Sequence, residues 1–272
     1  MLAGLAPARR RLVVAVLVLV LAGAVVLTGL LVARSAAPTP TRPAAERPPG
    51  PVLLVPGYGG ATGGLQSLAD RLTAAGRDAH VVPLPGDGTG DLSLSADALG
   101  TAVTATLHRT GARSVDLVGY SAGGVIVRLW IADGHEDVVR RVVTLGSPHH
   151  GTDLADLAGD LAPDQCPAGC AQLATDSAVL ARLNAGDETP DGPTWVSIWT
   201  TRDSTVTPPD SARLAGALNL TVQSVCAGAQ VTHGELPTSP LVQQMVLREL
   251  AAGPPVRLSS ADCVRLGGKL SG

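Results

Sequence analysis

The chain has 272 residues, 20 Lys and Arg against 23 Asp and Glu, and a formal charge of −3, with no Phe, two Tyr and three Trp. Six Arg and Glu46 fall within the first 50 residues, so the remaining 222 carry 14 basic and 22 acidic side chains. An acidic body without a Lys/Arg run argues against nucleic acid as a partner, and its length suffices for one domain whose core must be mainly aliphatic.

In chain order, Arg9, Arg10 and Arg11 precede an apolar run over residues 12–33, broken only by small residues and Thr28. As a helix this run would measure about 33 Å, enough to cross a bilayer core of about 30 Å. Residues 1–35 therefore read as a transmembrane anchor or a signal peptide. Ser35-Ala36-Ala37 offers a small-residue cleavage site, and both readings stay open. Either one keeps the basic flank in the cytoplasm and places the rest outside it, membrane-anchored or secreted. Pro38, Pro40, Pro43, Pro48 and Pro49 make residues 36–50 a semi-extended linker, and residues 51–272 form the globular body.

Within that body short apolar runs alternate with helical patterns. Residues 52–55 predict a buried strand, followed by the glycine-rich turn Pro56-Gly57-Tyr58-Gly59-Gly60. Leu65, Leu68, Ala69 and Leu72 recur at helical spacing up to Gly76. A strand at 79–82, a loop at 83–91 and a helix capped by Ser95 and stopped at Gly111 come next. Further strands are expected at 115–118, 139–145, 195–200 and 220–225, with helices at 125–131 and 241–250. Such alternation implies an α/β fold, a mostly parallel sheet with helices on both faces. The stretch 151–193 breaks the rhythm with two short helical patterns and reads as a cap or wall. Asp87-Gly88-Thr89-Gly90-Asp91 looks at first like a calcium loop, but lacks the spaced ligands and the terminal Glu, and reads as a turn.

Cys166, Cys170, Cys226 and Cys263 all lie beyond the apolar run, an even number in an oxidising compartment. Three pairings are open. The spacing favours a small loop closed by Cys166 and Cys170, which leaves Cys226 to bridge to Cys263. A zinc site is disfavoured, since no CxxC occurs and no His lies at ligand spacing. No metal and no other cofactor is expected.

Gly119-Tyr120-Ser121-Ala122-Gly123 fits the G-x-S-x-G nucleophile elbow, and it stands between a strand and a helix as an elbow must. Its glycines leave room where the backbone turns tightly. A serine nucleophile needs a base, and the base an orienting carboxylate. In this fold the chain order is Ser, acid, His. His233 lies late enough, after a strand and before the final helix. His80, His108 and His135 sit in strand or helix patterns and read as surface or core residues. The amide of Ala122, following the nucleophile, supplies one donor for an oxyanion.

Three segments, Val55-Pro56-Gly57-Tyr58-Gly59-Gly60, Gly119-Tyr120-Ser121-Ala122-Gly123-Gly124 and Thr144-Leu145-Gly146-Ser147-Pro148-His149-His150-Gly151-Thr152, resemble the strand-end motifs of bacterial secreted lipases and esterases. The resemblance covers about residues 51–250 and implies an α/β-hydrolase fold, hydrolysis of carboxylic esters, and an ester or lipid substrate. An N-terminal membrane span departs from the freely secreted pattern. By the same resemblance Asp203 is the triad acid, ahead of Asp187, Asp191 and Asp210, and Tyr58 gives the second oxyanion amide. Tyr120 then flanks the catalytic centre as a substrate-binding residue, and His149 or His150 belongs to a wall near the substrate. An acyltransferase, a polyester hydrolase or a non-catalytic tethered binding module are the alternatives on the same scaffold.

Overall fold

The computed structural model describes Val20, Leu21, Gly23 and residues 43–268. The chain divides into two units, Met1–Arg42 and Pro43–Gly272. In the first, Val20, Leu21 and Gly23 are helical, and the rest of the expected span at 12–33 lies outside the described residues. Among the described residues no helix is long and apolar enough to cross a membrane.

The second unit begins inside the stretch read as a linker. Ala44 is buried there, and the Arg47 guanidinium donates to the carbonyls of Arg113 and Asp137 at 2.6 and 2.8 Å. These contacts pull residues 43–50 onto the domain.

Six parallel strands form one sheet in the order β2-β1-β3-β4-β5-β6: β1 is Val52–Val55, β2 Ala79–Val81, β3 Val115–Tyr120, β4 Val139–Leu145, β5 Thr194–Trp199 and β6 Leu218–Thr221. β1, β4 and nearly all of β3 and β5 are buried on both faces, so apolar residues dominate them without alternation, apart from the buried Asp116, Arg140 and Arg141 at one end of β3 and β4. One face packs Leu54, Val118, Val143 and Ile198 against α1 (Gly63–Ala74) and the helix Pro240–Glu249. The other packs Leu53, Leu117 and Val142 against α2 (Leu92–Thr110) and α3 (Ala122–Ala132).

Two element boundaries differ from expectation. Helix α2 starts at Leu92 because the Asp91 carboxylate accepts from the Ser93 amide at 2.8 Å; Ser95 is one turn inside and buried. The strand expected at 220–225 is only partly strand: the chain leaves the sheet at Thr221, whose hydroxyl accepts from the Ser224 amide at 2.9 Å and starts a helical turn at Val222–Val225. A short apolar run carries no period that separates these outcomes.

Between β4 and β5 lie α4 (Asp153–Leu161), α5 (Ala168–Ala171) and α6 (Ala178–Leu183); Val222–Val225 is α7 and Pro240–Glu249 is α8. Disulfides join Cys166 to Cys170 within this insertion and Cys226, after α7, to Cys263. At the opposite end of the sheet Asp116 accepts from Arg140 Nε and Nη2 at 2.8 and 2.6 Å, with both side chains buried. Arg140 also reaches the carbonyls of Leu250 and Ala251, fastening the end of α8.

Candidate active site

The register pairs Val55 with Gly119, Gly119 with Thr144, and Leu145 with Ile198. The carboxyl ends of β1, β3, β4 and β5 therefore lie side by side, and the loops leaving them meet at one edge, where ligand sites of parallel sheets form. Ser121 stands on the turn from β3 into α3 with φ 54° and ψ −128°; among the described residues no other non-glycine has positive φ. That conformation is costly for a side-chain-bearing residue and is held here by its neighbours. The Ser121 amide donates to the Leu145 carbonyl at 2.9 Å. A Cβ on Gly119 would lie 2.6 Å from Gly124 Cα, and one on Gly123 would lie 2.7 Å from the Pro56 carbonyl oxygen. Only glycine permits so tight a strand-to-helix turn.

His233 Nε2 lies 3.1 Å from Ser121 Oγ, and its Nδ1 lies 2.7 Å from Asp203 Oδ2. Both His233 and Asp203 are buried. The other carboxylate oxygen, Oδ1, accepts from the amides of Thr205 and Val206 at 2.9 and 2.8 Å, so the acid has a fixed orientation. The loop bearing His233 is tied by a capping box in which Glu235 accepts from the Thr232 amide at 2.8 Å and from its hydroxyl at 2.7 Å. These hydrogen bonds hold the Glu235 carboxyl below its usual range.

The β1 loop crosses directly over the serine: a Cβ on Gly57 would lie 2.9 Å from Ser121 Cβ. This brings Tyr58 to the same cavity as Ser121. The cavity measures about 250 Å³, and Leu154, Ala155, Ala158, Leu173 and Val206 give it an apolar wall. Most of that wall comes from the 151–193 insertion, as expected of a cap or wall.

An α/β-hydrolase fold model matches residues 50–166. The chain has the α/β-hydrolase fold. Aspergillus fumigatus lipase B superposes on this chain with a TM-score of 0.67 at 18% identity, over 85% of this chain and 59% of the other. A triacylglycerol lipase of Pseudarthrobacter phenanthrenivorans is 39% identical over 59 residues, covering 22% of this chain and 18% of that protein. Another, from Vibrio cholerae, is 30% identical over 96 residues, covering 35% and 30%. The chain thus spans less than a third of the curated relatives it matches.

Three of the expected substrate-side residues stand elsewhere. The ring of Tyr120 lies against the His233 imidazole, with centroids 5.2 Å apart, and its hydroxyl donates to the His233 carbonyl at 3.3 Å. Burial, helped by the Asp203 charge, pushes its phenol up to about 12, so it stays a neutral donor. Tyr120 therefore supports the imidazole instead of lining the cavity. His149 is fully buried, 3.1 Å from Thr144 Oγ1 through Nε2, while Asn184 donates to its carbonyl at 2.9 Å. Burial and the charges of Arg128 and His150 hold its imidazole well below the ordinary value. His150 turns to Glu188 at 3.0 Å. Neither lines the cavity; from the same segment Pro148 and Thr152 do.

Gly146 had no role in the sequence. It has φ 54°, and a Cβ there would lie 2.6 Å from Leu236 Cδ1 and 3.2 Å from both Asp203 Oδ2 and His233 Nδ1. Its signal was its place in the Leu145-Gly146-Ser147-Pro148 strand end. The Thr232–Glu235 capping box was also legible as a Thr-x-x-Glu pattern.

Proposed function

We propose that this chain hydrolyses carboxylic esters, acylglycerols among them, through a Ser121–His233–Asp203 triad acting outside the cytoplasm. The observation that carries this reading is the hydrogen-bonded series from Asp203 through His233 to Ser121, opening on an apolar cavity of about 250 Å³. The names of the triacylglycerol lipases above point to the same substrate class.

In this reaction Ser121 Oγ attacks the ester carbonyl carbon as His233 Nε2 takes its proton. Asp203 accepts from Nδ1–H, fixing the tautomer and stabilising the imidazolium. The carbonyl oxygen gains negative charge and accepts from the amides of Tyr58 and Ala122, which among the described residues have no intramolecular acceptor. As the tetrahedral adduct collapses, the alcohol leaves with the Nε2 proton. Water then attacks the acyl-serine with His233 again as base, and the acid departs. The apolar wall shelters the acyl chain.

A fluorophosphonate probe tests the reading. It is expected to label Ser121 stoichiometrically, and a panel of esters to be hydrolysed in proportion to labelling. A folded protein that fails to label, or a Ser121→Ala variant with full activity, refutes it. Partition of the acyl-enzyme to an added alcohol in preference to water would instead identify a transferase.

The two disulfides and the apolar run behind Arg9, Arg10 and Arg11 support export, with residues 12–33 as membrane anchor. Fractionating cells that express the full chain tests this. Activity in the membrane fraction supports the anchor; activity in the medium from a product starting near residue 38 favours the cleaved signal. Activity confined to the cytoplasm overturns export.

A further inference from the structure

The geometry points to the 85–91 loop as the element that positions the oxyanion amide of Tyr58, with Asp87 and Gly88 as positioning residues. The inference rests on the proposed ester hydrolysis and its assignment of the Tyr58 amide.

The loop following β1 is closed from within by one turn, the Gly60 amide donating to the Gly57 carbonyl at 3.0 Å across Tyr58 and Gly59. Gly57, Gly59 and Gly60 surround Tyr58, which is 40% exposed, so what ties this turn to the rest of the domain comes from outside it. Its anchor is a neighbouring backbone. The Gly59 amide, next after Tyr58, donates to the Gly88 carbonyl at 3.1 Å. Gly88 has φ +74°, and a Cβ there would lie 2.5 Å from Gly60 N and 2.8 Å from Gly60 Cα. The two backbones touch with no side chain between them.

The 85–91 loop is itself braced. Asp87 Oδ1 accepts from the Thr89 amide at 3.0 Å and from its hydroxyl at 2.6 Å, closing the turn around Gly88. The Gly88 amide donates to the Pro85 carbonyl at 3.0 Å. On its far side the Thr89 carbonyl accepts from the Gly169 amide of α5 at 3.1 Å, and a Cβ on Gly169 would lie 2.5 Å from the Gly90 carbonyl oxygen. Gln172 closes the brace, donating to Asp91 at 2.9 Å and accepting from the Leu92 amide at 2.8 Å. Rigid α2 and α5 thus hold one side of the loop, and the loop holds the backbone beside Tyr58. A donor fixed in advance stabilises the developing oxyanion without reorganising, so the brace acts on the chemical step and not on substrate affinity.

The sequence pattern Asp87-Gly88-Thr89-Gly90-Asp91, which has the look of a calcium loop, gains its explanation here. Asp87 orders a turn through Thr89, Gly88 makes the backbone contact, and Asp91 caps α2.

The test measures kcat and KM for a soluble short-chain ester in the full chain. Gly88→Ala is expected to lose at least about tenfold in kcat with KM within about twofold. Asp87→Ala should lose about three- to tenfold in kcat, and Asp87→Asn, which keeps an acceptor oxygen for Thr89, should recover to within about twofold. Gly90→Ala is the control, because a Cβ there meets nothing within 4 Å and the residue is not in the left-handed region. Unchanged kcat in Asp87→Ala, a rise in KM alone, or an Asp87→Asn variant as impaired as Asp87→Ala overturns the inference. The Asp87 pair decides the matter if Gly88→Ala does not fold. Failure of the underlying reading looks different: Ser121→Ala would then retain activity, which overturns the inference together with the reading it rests on.

Discussion

Replacing Gly146 with Ala places one methyl group where the structure has no room for it. The residue stands at φ 54°, where a side chain costs about 1–2 kcal/mol. The new Cβ would lie 2.6 Å from Leu236 Cδ1, an overlap in a packed core that costs a further ~1–3 kcal/mol. Together these amount to about 3 kcal/mol, or a fall of roughly 6–12 °C in Tm for a domain of this size. The same methyl would lie 3.2 Å from Asp203 Oδ2 and from His233 Nδ1, crowding the side of their 2.7 Å hydrogen bond. Relief of that crowding moves the imidazole away from Ser121. A displacement below 1 Å suffices for roughly 10- to 100-fold in kcat. Gly76→Ala supplies the comparison, because Gly76 has φ +84° with nothing within 4 Å of the added Cβ. It should lose about 1–2 kcal/mol and leave kcat unchanged. The assay combines thermal unfolding with kcat corrected for active sites titrated by a fluorophosphonate. If folded Gly146→Ala keeps full kcat, the coupling of His233 to Asp203 beside Gly146 is not what drives catalysis.

Ser121→Ala and His233→Ala should each lower kcat at least about a thousandfold with folding intact, and Asp203→Asn should fall comparably; steady-state kinetics with circular dichroism checks this. His149 has its imidazole held well below its ordinary 6.5 by burial first and then by Arg128 and His150. The unfolded chain therefore binds the proton more readily, and the His149 contribution is complete above about pH 6.5 and lost as pH falls, by up to about 1.4 kcal/mol per unit. Denaturant unfolding at pH 7 and pH 5 should show a shallower acid loss in His149→Gln than in the parent. The Cys226–Cys263 bridge closes 37 residues and the Cys166–Cys170 bridge only 4, so paired Ser replacements should cost about 4 and about 2 kcal/mol respectively, read from chemical unfolding. Asp116→Ala strands the buried guanidinium of Arg140 and should cost about 3–5 kcal/mol in the same measurement, whereas kcat of the folded fraction stays unchanged.

The sequence by itself determined the order of strands and helices. Doubly buried parallel strands are written mainly in apolar residues without alternation, and glycine at 119 and 123 is demanded by a turn that admits no Cβ. The choice of Ser121 and His233 followed from the elbow and from chain order, and that of Asp203 from the resemblance to secreted lipases and esterases; Ser121 and Asp203 stand just beyond β3 and β5, whose ends the fold brings to one edge. Long-range packing decided the rest. His149 and His233 both follow strands and carry the same ring, yet one is buried against Thr144 and the other lies between Asp203 and Ser121. Tyr120 adjoins the nucleophile in sequence, but only the fold brings the His233 ring and carbonyl, from a distant loop, against its own ring and hydroxyl. The contact between Gly59 and Gly88 and the room that Gly146 leaves beside Asp203 join segments far apart in the chain. Only the folded sheet sets those distances, because a residue's sequence position fixes its neighbours along the backbone and not the side chains that close over it.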